Sequence, residues 1–270
     1  MATELHLASP FHLHGVGPAY TMKLAICGVE TIGGLLECDL ENLSEASTIP
    51  LGVLGRIRLK ARSMVNNEII RVMSFEPPSR DVLYLDIETT LRRRMVWLIG
   101  FMTGKRVVQL YADDFDEERE VLEEFVGILK QYADHVLVTW SSFDTRVLSE
   151  RLRIHGLIGS SRLIWSMAHM DLRLELRRSF IFPTRGYGLK RIGSFLEYPF
   201  RNPDFDGLHV AREYERHLLT GVPLHRRFFE YNEDDVLAMP YILDWAVVEQ
   251  ATNDRIAIDE RRRVNRFDNV

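Results

Sequence analysis

Asp86 and Glu88 close the apolar run VLYLDIETT, and residues two apart on a strand point to one face. Two carboxylates sharing a patch beside a hydrophobic core repel one another unless a cation neutralises them, which makes the pair a metal-site candidate. The alternative is that both face solvent where the strand leaves its sheet, and an isolated Asp-x-Glu does not choose between the two. Asp144 follows Phe143 in TWSSFDTRVL, at the start of an amphipathic helix, where an aspartate also satisfies free backbone N–H groups and favours the dipole. In FFEYNEDDVLAM, Tyr231 and Asp235 stand four apart and share a helix face, while Glu233 and Asp234 point elsewhere and are expected to be solvated.

The elements that must position these side chains are legible around them. Residues 82 to 87, 95 to 102 and 106 to 111 are apolar and β-branched enough to form three successive strands, and their short links make an antiparallel meander. Residues 116 to 132 read as an amphipathic helix, 135 to 140 (HVLVTW) as a buried strand and 143 to 156 as another helix, and the chain from 188 onward is mainly helical. Three strands followed by alternating helix and strand form an α/β mixed sheet covered by helices. At 270 residues the chain should hold this core and one smaller unit. Phe75-Glu76-Pro77-Pro78-Ser79-Arg80 is the best boundary, since paired prolines neither continue a helix nor pair as a central strand. This predicts an all-α unit over 1–74, a linker over 75–80 and a self-contained α/β domain over 81–270.

The three acidic elements, in this order, resemble the DEDD superfamily of 3′-to-5′ exonucleases on the ribonuclease H-like fold. Asp86, Glu88, Asp144 and Asp235 match its four acids, and Tyr231 matches the subclass with a Tyr-x-x-x-Asp third motif. GYGLKRIGSFL at 186 to 196 is similar to the Leu-Lys helix that lies between the second and third motifs in these enzymes. Members often carry an asparagine four residues before the second-motif aspartate; here Trp140 stands in that place, as strand core or as a surface on which a base could stack. The resemblance implies two Mg²⁺ or Mn²⁺ ions, since convergent carboxylates suit hard cations and zinc favours His and Cys. It implies that Asp86 bridges both ions, Asp235 helps hold the ion on the nucleophile side, Asp144 serves the other through a water, and Glu88 also contacts the terminal 3′ hydroxyl. Tyr231 is expected to orient the attacking water. The products would be 5′-mononucleotides.

Arg92, Arg93 and Arg94 fall in the turn after the first motif, as phosphate contacts or as a solvated basic turn. In the N-terminal part, Gly15-Val16-Gly17 delivers the chain into the apolar-periodic PAYTMKLAICG, a tight turn that exposes backbone N–H groups at a helix start. With GVETIGGLLECDLENLSEA and IPLGVLGRIRLKARS after it, residues 11 to 65 resemble a tandem helix-hairpin-helix domain, a class that binds the DNA backbone. Pro50 stands near where its second hairpin would have a glycine, and Lys23, Arg56, Arg58, Lys60 and Arg62 could supply phosphate contacts. The other reading of this unit is a packing or protein-interaction module.

Composition narrows the remaining classes. A formal charge of −5 argues at first against a nucleic-acid partner, yet bound divalent cations would reverse the local field, and binding could rest on local patches. Cys27 and Cys38 are too few for a disulfide framework or a zinc site and read as small buried hydrophobes. No run approaches the roughly 20 apolar residues of a membrane span, and the N-terminus does not read as a secretory signal, so a cytoplasmic location is expected. The sequence thus predicts a metal-dependent exonuclease acting on single-stranded DNA 3′ ends before RNA. A non-catalytic nucleic-acid-binding scaffold and a structure-specific endonuclease are the competing readings.

Overall fold

The computed structural model describes residues 2–92 and 94–267, with side chains for 4–92 and 94–251. The chain begins with helices α1 (Ala2–Leu7), α2 (Pro18–Ile26), α3 (Ile32–Glu37), α4 (Leu40–Ser47) and α5 (Leu51–Asn66) and the short strand β1 (Ile70–Arg71). Strands β2 (Val82–Thr89), β3 (Val96–Thr103) and β4 (Arg106–Tyr111) follow, then α6 (Glu118–Gln131), β5 (Val136–Thr139), α7 (Ser142–Ile154), α8 (Ile158–Ser166) and β6 (Ala168–Asp171). After these come α9 (Leu172–Ser179), β7 (Phe180–Ile181), α10 (Leu189–Phe195), α11 (Gly207–Thr220) and α12 (Arg226–Phe267).

The main sheet has the order β4-β3-β2-β5-β6. Short turns join β2 to β3 and β3 to β4, so these pairs are antiparallel. The second of these turns has Gly104 at φ +71°, a conformation that costs glycine nothing. β5 lies parallel to β2 and to β6, and parallel neighbours need crossovers, here α6 and the pair α7 and α8. The outcome is the mixed α/β sheet expected from the sequence. β3 is buried along nearly its whole length, as its unbroken apolar run requires. Beneath it Trp97 stacks on Tyr214 with ring centroids 4.4 Å apart, and α6 seats Val121, Leu122, Phe125, Val126 and Leu129 in the same core. Glu118, within the acidic run at the start of α6, is buried. It accepts the Val96 N–H at 2.8 Å and pairs with Arg151 and His155, tying α6 to β3 and α7.

The chain divides into two compact units, one of Met1–Ser74 with Leu176–Phe195, the other of Phe75–Glu175 with Leu196–Val270. The first has its own core, in which Leu24, Ile32, Leu35, Leu54 and Ala61 are fully buried. Within it β1 pairs antiparallel with β7, and Ser63 Oγ donates to the Ile181 carbonyl at 3.3 Å. The contact division thus places Leu176–Phe195, which carries most of the expected Leu-Lys helix segment, with the N-terminal residues. The reason is a pairing across more than 100 residues of sequence, from Ile70 to Ile181, which local patterns do not carry. Cys27 and Cys38 are free thiols of intermediate burial, not fully buried ones. Among the described residues no helix is long and apolar enough to cross a membrane.

Candidate active site

β2 alternates its side chains, so Leu83, Leu85 and Ile87 enter the core while Asp86 and Glu88 share the other face. α12 packs on β2 and β3 and brings Asp235 to them. One carboxylate oxygen from each of Asp86, Glu88 and Asp235 lies within 4.8 Å of the others, an arrangement able to hold a metal ion. Asp144 arrives from the first turn of α7. β5 ends at Thr139, opposite Leu85, and just beyond that pairing the Asp144 carboxylate takes the N–H of Ile87 as well as its own. Ser141, not Asp144, is the side chain that caps α7, accepting the Phe143 N–H. The structure therefore gathers all four predicted acids, with Asp144 beside the close group of three.

Their electrostatics show what the cluster lacks. Burial, then the charges of Asp144, Asp235 and Glu88, hold the Asp86 carboxyl well above the usual carboxylate range, against one opposing bond from the Asn232 amide. Burial pushes Asp144 up to about 7; the two backbone N–H groups oppose this, and the charges of Asp235 and Asp171 add to it. Every charged neighbour named at Asp86 and Asp144 is negative, and the donors are all oxygens. That donor set fits hard divalent cations. Tyr231 is buried, its hydroxyl donates to Asp235, and burial followed by the charges of Asp235, Glu88 and Asp86 raises its pKa far above a free phenol. A phenol held in this way is suited to donating a hydrogen bond rather than to taking up a proton.

Asn232 is the functional residue that the sequence reading missed. Asp86 on β2 lies opposite Gly100 on β3, which lies opposite Gln109 on β4. The fully buried Asn232 side chain spans this row: its Nδ2 donates to Asp86 Oδ2 at 2.8 Å, and its Oδ1 accepts from Gln109 Nε2 at 2.9 Å. A Cβ added at Gly100 would stand 2.1 Å from Asn232 Oδ1, so only glycine leaves room. The sequence trace is that glycine, a break inside the apolar run MVWLIGFM that marks a close approach. Gly100→Ala should cost about 1–3 kcal/mol by overpacking. By displacing Asn232 it should also weaken divalent-ion affinity about 10–100-fold, as the loss of a ligand-orienting partner does. Thermal melts and metal titration by calorimetry check this; unchanged metal affinity would deny Asn232 its orienting role.

Two further acids sit differently from expectation. Asp234 is not solvated: it is buried and accepts from Arg201 through the backbone N and Nε, both at 2.8 Å, while Glu233 pairs with the same guanidinium at 2.7 Å. The arginine that compensates them lies about 30 residues upstream, so α12 is anchored there in a way the local helix pattern does not reveal. Asp171 accepts the N–H groups of Ser142 and Leu174, fixing the start of α7 beside Asp144. Trp140 is buried, 8% exposed, directly after β5.

Arg92 and Arg94 are exposed in the turn closed by Thr90 N–H to Met95 O, and Arg93 lies outside the described residues. Both line a cavity of about 360 Å³ with Leu91, Phe115, Leu218 and Leu219. In the first unit, Gly15 has φ +77° and Gly17 precedes α2, which starts at Pro18. Lys23 Nζ donates to Thr48 Oγ1 at 2.8 Å, Arg56 to the Arg177 carbonyl at 2.5 Å and Lys60 to the His14 carbonyl at 2.7 Å. Arg58 holds the Leu35 and Cys38 carbonyls at the end of α3, and Arg62 pairs with Glu68.

A family model described as RNase_H superfamily matches residues 83–247. Comparison with curated proteins gives no match. Among solved structures, the family B DNA polymerase from the hyperthermophilic archaeon Pyrobaculum calidifontis is similar, with a TM-score of 0.47 and 18% identity over 81% of this chain. The chain spans about a third of that polymerase, 34% of its length.

Proposed function

This chain belongs to the RNase_H superfamily, and from that premise we propose that it is a divalent-metal-dependent 3′-to-5′ exonuclease that releases 5′-mononucleotides, from single-stranded DNA before RNA. The observation that carries this reading is the meeting of the half-buried Asp86 with the buried Glu88 and Asp235, with Asp144 beside them, a concentration of negative charge that calls for cations. Two divalent ions bound there would supply the polarisation of a phosphodiester and the acidity of a water needed at neutral pH. The chain's own residues do the rest. Asp86, held by the Asn232 amide, would bind the ions together with Glu88 and Asp235, and Asp144 would add its charge beside them. Tyr231, protonated and already donating to Asp235, is placed to donate a hydrogen bond at the nucleophile side. The DNA preference rests on the hairpin-like N-terminal unit.

End-labelled single strands incubated with Mg²⁺ or Mn²⁺ test the proposal. A ladder shortening from the 3′ end is expected; one internal cut would mean an endonuclease, and binding without cleavage a scaffold. Tyr231→Phe should lower turnover roughly 10²-fold, as loss of a positioned proton-handling group does, with metal affinity nearly unchanged. Turnover by single-turnover kinetics and metal binding by calorimetry separate the two effects, and lost metal affinity would contradict the role given to the phenol.

A further inference from the structure

The overall charge conceals a division. Eleven Lys and Arg against seven Asp and Glu give the first compact unit +4, and the remaining twenty-three against thirty-two give the second −9. Two stretches produce the positive unit: residues 46–67 hold four basic residues and 176–195 hold five, and neither holds an acid. The second stretch lies more than 100 residues from the first and joins it through the pairing of Ile70 with Ile181.

Lys60 and Arg185 stand at the glycine turn, and Arg56 and Arg177 lie within electrostatic reach of Lys60. Lys60 Nζ is bonded to the His14 carbonyl and lies 3.4 Å from where a Gly15 Cβ would be. Arg56 lies one helical turn away on α5 and bonds the carbonyl of Arg177. Arg185 closes a cavity of about 330 Å³ whose other walls include His12, His14, Gly15 and Gly17. A carbonyl partner fixes a cation without cancelling its charge, and among the described residues none of the four has a carboxylate partner. Burial, then the charges of Arg56 and Arg177, lower the Lys60 pKa, so the cations face one another uncompensated. Among the described residues the N–H groups of Gly15 and Gly17 also have no hydrogen-bond partner, and both glycines line that cavity. Unpaired like charges beside free N–H donors lack an anion with several oxygens.

We propose that Arg177 and Arg185, supplied by the distant Leu176–Phe195 stretch, complete with Arg56, Lys60 and the Gly15–Gly17 turn a binding face for the phosphate backbone of a nucleic-acid strand. The choice of a nucleic acid rests on the nuclease reading above; the need for a polyanion does not. Arg177 and Arg185 side chains are exposed and hold no other element, so replacing them removes charge without removing packing.

The test titrates a labelled single-stranded oligonucleotide with the full chain in EDTA over a salt series. Arg177→Gln with Arg185→Gln should weaken binding at least tenfold at low salt and reduce the log–log salt slope by about 1.4, roughly 0.7 for each lost phosphate contact on a single strand. The double Arg→Lys variant should keep the slope, and all variants should melt like the wild type. Arg119→Gln with Arg216→Gln, which removes exposed arginines from the other unit, should leave binding as it was. Unchanged affinity and slope in the first variant, an equal loss in the control, or equal capture of polyglutamate by the same residues would overturn the proposal. Cleavage of a dinucleotide with Mg²⁺, measured separately, should be unaffected. A wild type that cleaves nothing while the variant loses binding would end the nuclease reading and leave the face standing; a cleaving wild type with unchanged binding in the variant would do the reverse.

Discussion

Asp86→Asn is expected to reduce metal-dependent cleavage at least about 10³-fold, roughly 4 kcal/mol of transition-state stabilisation, while making the metal-free protein more stable. The two halves have one cause. Asp86 is half-buried among Asp144, Asp235 and Glu88, and their charges leave its carboxylate unfavourable without cations. An amide of the same shape keeps the bond to Asn232 but no longer repels the other three. The pH dependence follows. Asp86 and Asp144 have raised values in the folded chain, the latter to about 7, so the unfolded chain loses these protons at lower pH. Their contribution to stability without metal is fully present below the ordinary carboxylate range, near pH 4, and is lost as pH rises, for Asp144 through about 7. Melts in EDTA between pH 5 and 8 should show the wild type falling and Asp86→Asn falling less; added Mg²⁺ or Mn²⁺ should stabilise the wild type most at the upper end. Full activity in the variant would remove Asp86 from the site, and parallel melting curves would remove the repulsion argument.

What the sequence disclosed and what it withheld divide by range. The strands around Asp86, the helix carrying Tyr231 and Asp235 and the short hairpins are local patterns of period 2 or 3.6, and they appear in the structure where the sequence places them. Asp86, Glu88 and Asp235 stand out as acids beside apolar runs, and the resemblance to the DEDD exonucleases singles them out as one set. Asn232 does not stand out, because an amide next to a tyrosine has no signature of its own; its partners Asp86 and Gln109 lie more than 100 residues away, and only Gly100 hints at it. Asp234 looked solvated for the same reason, since its compensating Arg201 belongs to another segment. The five cations named in the N-terminal half were legible as cations. Their intramolecular carbonyl, hydroxyl and carboxylate partners were not.

The strand pairing of Ile70 with Ile181 has the largest consequence for dissecting the protein. A fragment starting at Phe75 retains all four acids and Tyr231, and the sequence pattern alone predicts a self-contained domain. It also retains Leu176–Phe195 without the residues that belong to the same compact unit. Leu176, Phe180 and Ile192 are fully buried there and Ile181, Phe182 and Tyr187 nearly so. Ile181 loses its strand partner Ile70, and Ile181, Phe182 and Tyr187 lose the neighbouring Leu13 and Met64. At about 1.5–3 kcal/mol for each large side chain returned to water, even half of these six amount to roughly 5–9 kcal/mol, comparable to the whole stability of an ordinary domain. The fragment Phe75–Val270 should therefore be recovered largely insoluble or without a cooperative melt, and should lose cleavage of even short single strands. Expression of the fragment beside the full chain, with melting and short-substrate cleavage as readouts, decides the matter. A soluble fragment with a cooperative melt and the full chain's rate on short strands would show that Leu176–Phe195 does not depend on the N-terminal residues.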